Sequence, residues 1–262
     1  MRRRLDAELV RRGLVPSRTA AREAVDAGMV RIGGAVATKP ATMVAVDTPL
    51  DLIEGARPFV SRGGGKLDAA LTRFDLDPAG LRCLDAGAST GGFTDVLLQR
   101  RASAVVAVDV GYGQLAWSVR TDPRVTVLER TNVRDLTLAD LPFAAELVVA
   151  DLSFISLRLV LSALVGLATP DAVYLLLVKP QFEAGRADVG KGGVVRDPAV
   201  WTRALEAVIG AGAALGLGAG GVMASPLPGP AGNVEFLLQL GPGSTGGADV
   251  HAAVREGQEL RR

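Results

Sequence analysis

Leu84-Asp85-Ala86-Gly87-Ala88-Ser89-Thr90-Gly91-Gly92-Phe93-Thr94-Asp95 packs the end of an apolar run, a glycine-rich turn and the start of a helix into twelve residues. Gly87, Gly91 and Gly92 let the backbone take positive φ and approach a ligand with no Cβ in the way. Ser89 and Thr90 offer hydroxyls and a helix cap. Strand, turn and helix in that order predict a βα unit whose turn forms a cradle at the carboxyl end of the strand.

Twenty-four residues after Asp85, the run Ala104-Val105-Val106-Ala107-Val108 ends in Asp109. A second parallel strand there would present a carboxylate to ribose hydroxyls. The glycines are spaced G-x-x-x-G-G rather than G-x-G-x-x-G, so nothing in the pattern brings a pyrophosphate close to a helix N-terminus. An ordinary βα turn would account for the glycines alone. Turn and acidic strand end together favour a bound nucleoside without phosphate, which suggests S-adenosylmethionine.

Outward from this unit, strands are expected at 81–84, 104–108, 125–128, 146–150, 172–178, 217–223 and 234–240, with helices between most of them. That alternation predicts a Rossmann-like α/β domain, a mostly parallel seven-stranded sheet covered on both faces. Ligands of such sheets lie beyond the carboxyl ends of the strands, where Asp85, Asp109, Asp151 and Lys179 should face one cleft. Upstream, Ser61-Arg62-Gly63-Gly64-Gly65-Lys66 leads into a helix with Leu67, Ala70, Leu71 and Phe74 apolar, and a linker precedes it. Beyond Pro242 a glycine-rich segment and a short polar tail are expected.

The first fifty residues follow a different pattern. A helix over Arg4 to Arg12 stops at Gly13, Ser17 caps a second over Arg18 to Ala27, and Arg18 and Arg22 lie one turn apart on its outer face. Short β-like pieces follow at 29–32, 35–37, 42–44 and 50–52. Residues 1–40 carry nine Lys or Arg against four Asp or Glu, while the rest carry 20 against 24. This small basic α+β module suits a polyanion.

What is missing narrows the chemistry. The lone cysteine, Cys83, sits inside a predicted strand, and the lone histidine, His251, lies near the far end. A Ser-His-Asp triad, a Cys-His pair, disulfides and a histidine-rich metal site are therefore excluded, and no metal is expected. Cytosine C5 methylation would need a cysteine nucleophile. Methylation of base amino groups usually uses Asp or Asn, two prolines and an aromatic, but Asp151-Leu152-Ser153-Phe154 has no proline. A hydroxyl acceptor remains. The start Met1-Arg2-Arg3-Arg4-Leu5-Asp6 has no apolar signal core, and the apolar stretches 159–178 and 207–234 are broken by prolines. A cytoplasmic protein without stable membrane association is expected.

Lysine is rare, four residues against 25 arginines. A residue that must give up or share a proton cannot be arginine, so Lys66, Lys179 and Lys191, expected in loops beside the cleft, are the candidates for proton transfer.

Two resemblances follow. Arg4-Leu5-Asp6, Ser17-Arg18, Ala27-Gly28-Met29-Val30 and Thr38-Lys39-Pro40 resemble the S4 RNA-binding module, which implies that Arg3, Arg4, Arg18, Arg22 and Lys39 meet structured RNA. Lys66, Asp151, Lys179 and Glu235 resemble the K-D-K-E set of ribose 2′-O-methyltransferases with the FtsJ-like fold. With Ser61-Arg62-Gly63-Gly64, Ser89-Thr90-Gly91-Gly92-Phe93-Thr94, Val108-Asp109-Val110-Gly111-Tyr112-Gly113-Gln114-Leu115, Arg130-Thr131-Asn132-Val133-Arg134, Lys179-Pro180-Gln181-Phe182-Glu183 and Gly232-Asn233-Val234-Glu235-Phe236, the whole chain is similar to the TlyA (hemolysin A) family of rRNA 2′-O-methyltransferases.

The resemblance implies an S4-like domain over 1–54, a linker over 55–62, an S-adenosylmethionine-dependent methyltransferase domain over 63–242 and a tail over 243–262. It implies that Gly87, Ser89, Thr90, Gly91, Gly92 and Phe93 hold the methionine part of the cofactor, Asp109 the ribose, and Asn132 and Val133 the adenine, with Val110 also at the cofactor. Lys179 would accept the proton of a 2′-hydroxyl of ribosomal RNA, a cytidine, on free RNA or a ribosomal subunit, with Lys66, Asp151 and Glu235 around it. The competing classes are a non-catalytic RNA-binding assembly factor and a membrane-active protein. An aromatic content of 4% speaks against the second.

Overall fold

The computed structural model describes residues 2–15, 17–26, 28–52, 59–190, 192–229, 231–244 and 246–261. The chain divides into two compact units, Met1–Arg62 and Gly63–Arg262. Residues 55–58 of the expected linker, and Lys191, lie outside the described residues.

In the first unit β1 (Arg2–Arg4) runs into α1 (Leu5–Arg11), followed by α2 (Arg18–Asp26), β2 (Val30–Ile32), β3 (Ala35–Val36), β4 (Met43–Ala45) and β5 (Leu50–Leu52). Ser17 Oγ accepts the Ala20 N–H and caps α2, as its position suggested. Leu5 and Leu9 from α1 bury against Ala21, Ala24 and Val25 from α2 and against Val30, Val44 and Leu50. The short β pieces form two separate ladders: β3-β2-β5, and β1 paired antiparallel with β4. Three consecutive arginines give no strand signal; β1 forms because Met43–Ala45 offers it a backbone edge.

The second unit opens with α3 (Gly63–Arg73) and continues through β6 (Arg82–Ala86), α4 (Gly92–Gln99), β7 (Ala104–Val108), α5 (Trp117–Arg120), β8 (Val125–Leu128), β9 (Ala145–Ala150), α6 (Leu161–Gly166) and β10 (Ala168–Val178). It closes with α7 (Pro180–Glu183), α8 (Pro198–Ala213), β11 (Leu217–Ala224), β12 (Phe236–Pro242) and α9 (Val250–Glu259). The sheet order is β11-β12-β10-β9-β6-β7-β8, parallel except where β12 runs against β10 and β11.

Both faces of the sheet are covered, so its strands read as continuous apolar runs. Leu84, Val106, Val148 and Leu176 share a core with Leu161 and Leu164 of α6 and Trp201 and Leu205 of α8. The alternate residues Cys83, Val105, Leu147 and Leu175 are equally buried. The segment after Pro242 departs from the expected polar tail. Asp249 caps α9, and Ala253, Val254 and Gly257 bury one of its faces. Gly257 lets that face close on the sheet, since a Cβ there would meet Val234 at 2.8 Å.

Chain order leaves β6 for β7 and β8 on one side and resumes with β9 and β10 on the other, so the sheet's switch point lies between the carboxyl ends of β6 and β9. Among the described residues no helix is long and apolar enough to cross a membrane.

Candidate active site

The register of the sheet brings Asp151, Lys179 and Glu235 to one end, and α3 carries Lys66 to Glu235. Leu176 pairs with Ala150, so Asp151 leaves β9 beside the last residues of β10; Val178 pairs with Phe236, so Lys179 and Glu235 are neighbours where the antiparallel ladder ends. Lys179 Nζ forms an ion pair with Asp151 Oδ1 at 2.6 Å and donates to Ser153 Oγ at 2.9 Å. Lys66 Nζ donates to Glu235 Oε2 at 2.5 Å, with both side chains buried. Lys66 is not in a loop as expected: α3 already starts at Gly63, because residues without Cβ can start the helix close to Leu227, whose Cδ1 would stand 3.4 Å from a Cβ at 65.

A cavity of about 450 Å³ opens at the switch point, lined by Gly87, Ser89, Asp109, Val110, Asn132, Val133 and Asp151, together with Gln114, Thr131 and the segment Leu152–Ile155. Gly87 has φ of +87°, and a Cβ on it would stand 2.6 Å from the Asp151 carbonyl oxygen, so only glycine permits this approach of the two strand ends. Asp109 organises the floor: Oδ2 accepts the Ser89 N–H at 2.8 Å and Oδ1 accepts the Gly111 N–H at 2.6 Å. Each oxygen keeps a free lone-pair direction for a ligand hydroxyl. Asn132 Oδ1 accepts the Arg134 N–H, which fixes the turn that carries Val133 into the wall.

Four residues expected at the ligand, Thr90, Gly91, Gly92 and Phe93, do not line this cavity. Phe93 is buried, and Gly91, with φ of +92°, lies against Leu115 and Val119. Their part is to turn the chain from β6 into α4, while the half-turn before them meets the open space. Asp85, expected to face the cleft, is wholly buried instead. Thr94 Oγ1 donates to its Oδ2 at 2.6 Å, and burial pushes its carboxyl up to about 7. Cys83 is buried as expected, and burial pushes its thiol up to about 12, which removes it as a nucleophile.

Sequence reasoning gave no role to Gln114, Ser153 or Phe154. Phe154 is 91% exposed with φ of +65° and its ring 5.2 Å from that of Phe182. Its position after an acidic strand end was the available signal. Glu183 holds this segment down: it accepts from Ser156 Oγ at 2.5 Å and from the Leu157 N–H at 2.7 Å. Among the described residues no three His, Cys, Asp or Glu side chains converge as metal ligands would.

In the first unit, Arg4, Arg18 and Arg22 do share a face, but around a carboxylate. Asp6, fully buried, meets Arg4 at 3.0 Å, Arg18 at 3.1 Å and Arg22 at 3.6 Å, and the Arg4 guanidinium above all holds its carboxyl well below the usual range. Arg3 and Lys39 are exposed.

The sheet order and the cavity at its switch point define the Rossmann-like methyltransferase class. The family model described as FtsJ-like methyltransferase matches residues 59–242, and that described as S4 domain matches residues 3–48. The chain belongs to the FtsJ-like methyltransferases, in the TlyA family that joins this domain to an S4 domain. It is 59% identical to the 16S/23S rRNA (cytidine-2′-O)-methyltransferase TlyA of Mycobacterium tuberculosis over 91% of this chain and 90% of that one. It is 34% identical to Hemolysin A of Brachyspira hyodysenteriae over 90% of this chain and 99% of that one. Among solved structures, a chain from Streptococcus thermophilus described as a hemolysin matches at a TM-score of 0.78 and 36% identity, over 99% of this chain and 97% of that one.

Proposed function

We propose that the protein transfers a methyl group from S-adenosylmethionine to the 2′-hydroxyl of a cytidine in ribosomal RNA, with Lys66, Asp151, Lys179 and Glu235 as the reacting and orienting groups. The observation that carries this reading is the Lys179–Asp151 ion pair at 2.6 Å, with Asp151 itself in the wall of a cavity of ligand size. The M. tuberculosis relative, named for this reaction, supports the choice of acceptor.

The residues present fit the cofactor. Asp109 has lone pairs left for ribose hydroxyls, Val110 and Val133 offer apolar surface to an adenine, and Gly87 lets the ends of β6 and β9 close up to form the cavity wall. When bound, the cofactor supplies a methyl group on a sulfonium, an intrinsically good leaving group. Positioning therefore contributes more to the rate than strong acid catalysis. Once its ammonium has released a proton to solvent, Lys179 Nζ receives the 2′-hydroxyl proton as the new O–C bond forms, and Asp151 holds the amine in place. Lys66 and Glu235, bonded to each other, complete the set beside Lys179. Arg3, Arg4, Arg18, Arg22 and Lys39 supply phosphate contacts to the RNA.

Tritium transfer from labelled S-adenosylmethionine to ribosomal RNA and to isolated subunits tests the reading, with Lys179→Ala as control. Transfer by the wild type and at least about a hundredfold less by the variant is expected. RNA binding without transfer would make the protein an assembly factor instead.

A further inference from the structure

We infer that Ser153 is a positioning residue for methyl transfer: its hydroxyl fixes the direction in which Lys179 takes the substrate proton. The inference rests on Lys179 being the proton acceptor. An amine nitrogen has four tetrahedral directions, one of them used by its own side chain. Ser153 Oγ, 2.9 Å away, accepts a hydrogen bond along one of the other three, Asp151 Oδ1 stands 2.6 Å off as the ion-pair partner, and among the described residues Lys179 Nζ has no further hydrogen-bond partner. Once the amine has given up its extra proton, the hydrogen bond to Ser153 fixes one hydrogen and the Asp151 carboxylate draws the other towards itself, so the lone pair turns to the side away from both. With Asp151 alone the amine could rotate about the Cε–Nζ bond, and the lone pair would sample two directions rather than one.

The surroundings agree. Ser153 lines the same cavity as Asp151, two residues away in the chain, so one segment presents both partners to the amine. That segment is pinned by Glu183, which takes the Leu157 N–H and the Ser156 hydroxyl at the far end of α7, the helix that Lys179 itself precedes. Both sides of the Lys179–Ser153 contact are thus tied together within a few residues. During transfer the 2′-O–H bond breaks and its proton joins the Lys179 lone pair. The oxygen's electron pair forms the bond to the methyl carbon, and the S–C pair returns to sulfur.

Ser153→Ala and Ser153→Thr test this against Lys179→Ala. Because Ser153 is exposed, threonine keeps the hydroxyl without meeting a packed wall. In Ser153→Ala, kcat is expected to fall by about tenfold or more while the KM values for S-adenosylmethionine and RNA stay within about twofold, and Ser153→Thr should restore most of kcat. An independent readout comes from the rarity of lysine: with four lysines, ¹⁵N-lysine labelling yields at most four side-chain signals, and the one absent in Lys179→Ala is Lys179. That signal should broaden or shift in Ser153→Ala and return in Ser153→Thr. An unchanged kcat and signal in Ser153→Ala, or a raised KM for S-adenosylmethionine with kcat intact, would overturn the inference while Lys179→Ala stayed inactive. Full activity in Lys179→Ala would overturn the base assignment itself, and Ser153's role with it.

Discussion

The Lys66 ammonium and the Glu235 carboxylate meet at 2.5 Å although 169 residues separate them in the chain, and neither side chain exposes more than 6% of its surface. Gly229 makes room for this pair, since a Cβ there would overlap Glu235 Oε1. A buried pair of this kind adds little net stability over an apolar pair, but removing one member strands the other charge. Lys66→Met alone should therefore cost about 3–5 kcal/mol in urea unfolding. The double variant Lys66→Met, Glu235→Leu should recover most of that stability yet remain inactive. Methyl transfer by the stable double variant would remove this pair from the chemistry.

Asp85 gives a pH signature. Its carboxyl is pushed up to about 7 in the fold, from an ordinary value near 3.8 in the unfolded chain. The folded state therefore holds a proton that the unfolded state has released. Stability from this group is complete below about pH 4 and lost as pH rises through 7, by roughly 1.4 kcal/mol per pH unit in between. Asp85→Asn keeps an acceptor for Thr94 without a titrating group. The stability difference between wild type and Asp85→Asn, followed by urea midpoints from about pH 5 to 8, should shift in favour of the variant as pH rises; a constant difference would contradict the burial argument.

Gly87→Ala should remove cofactor binding. Its Cβ would press on the Asp151 carbonyl at 2.6 Å, and φ of +87° is strained for any side chain. Calorimetric affinity for S-adenosylmethionine should fall by at least about tenfold, with a stability cost of about 2 kcal/mol. Normal affinity in this variant would mean that the cavity at the switch point is not the cofactor site.

For the S4 unit, the sharing of Asp6 by Arg4, Arg18 and Arg22 makes a specific expectation. Arg18→Ala or Arg22→Ala should lower RNA affinity and reduce the slope of log K against log salt by about 0.7–0.9 for each phosphate no longer neutralised. Asp6→Asn, which frees the arginines from a counter-charge, should not lower the slope. Salt titrations of RNA binding separate the cases, and a flat response to all three variants would assign the RNA face elsewhere.

All seven strands of the sheet were legible because each is an apolar run bounded by polar or glycine-rich turns, and β/α alternation accounts for the parallel pairs, though not for the antiparallel β12. Gly216, with φ of +81°, marks the boundary between α8 and β11. Two elements were not legible. Arg2–Arg4 is a strand only because of its partner, and α9 follows a glycine-rich stretch that masked the Asp249 cap and the Ala253, Val254, Gly257 face. At the site, the rarity of lysine pointed to Lys66 and Lys179 and a strand end to Asp151, and Glu235 came only with the family resemblance, whereas Gln114 and Ser153 gain their positions from how two loops fold across the strand ends. Asp85 shows the reverse case: a carboxylate at a strand end looked like a ligand group, but its side chain points to Thr94 in the interior.

The most direct measurement is where the methyl group lands. Ribosomal RNA methylated by the wild-type protein, digested to nucleosides and read by mass spectrometry, should carry the added mass of one methyl group on the ribose of a cytidine, and the same RNA treated with Lys179→Ala should carry none. A methyl group on a base, or equal modification by the variant, would contradict proton transfer from a 2′-hydroxyl to Lys179.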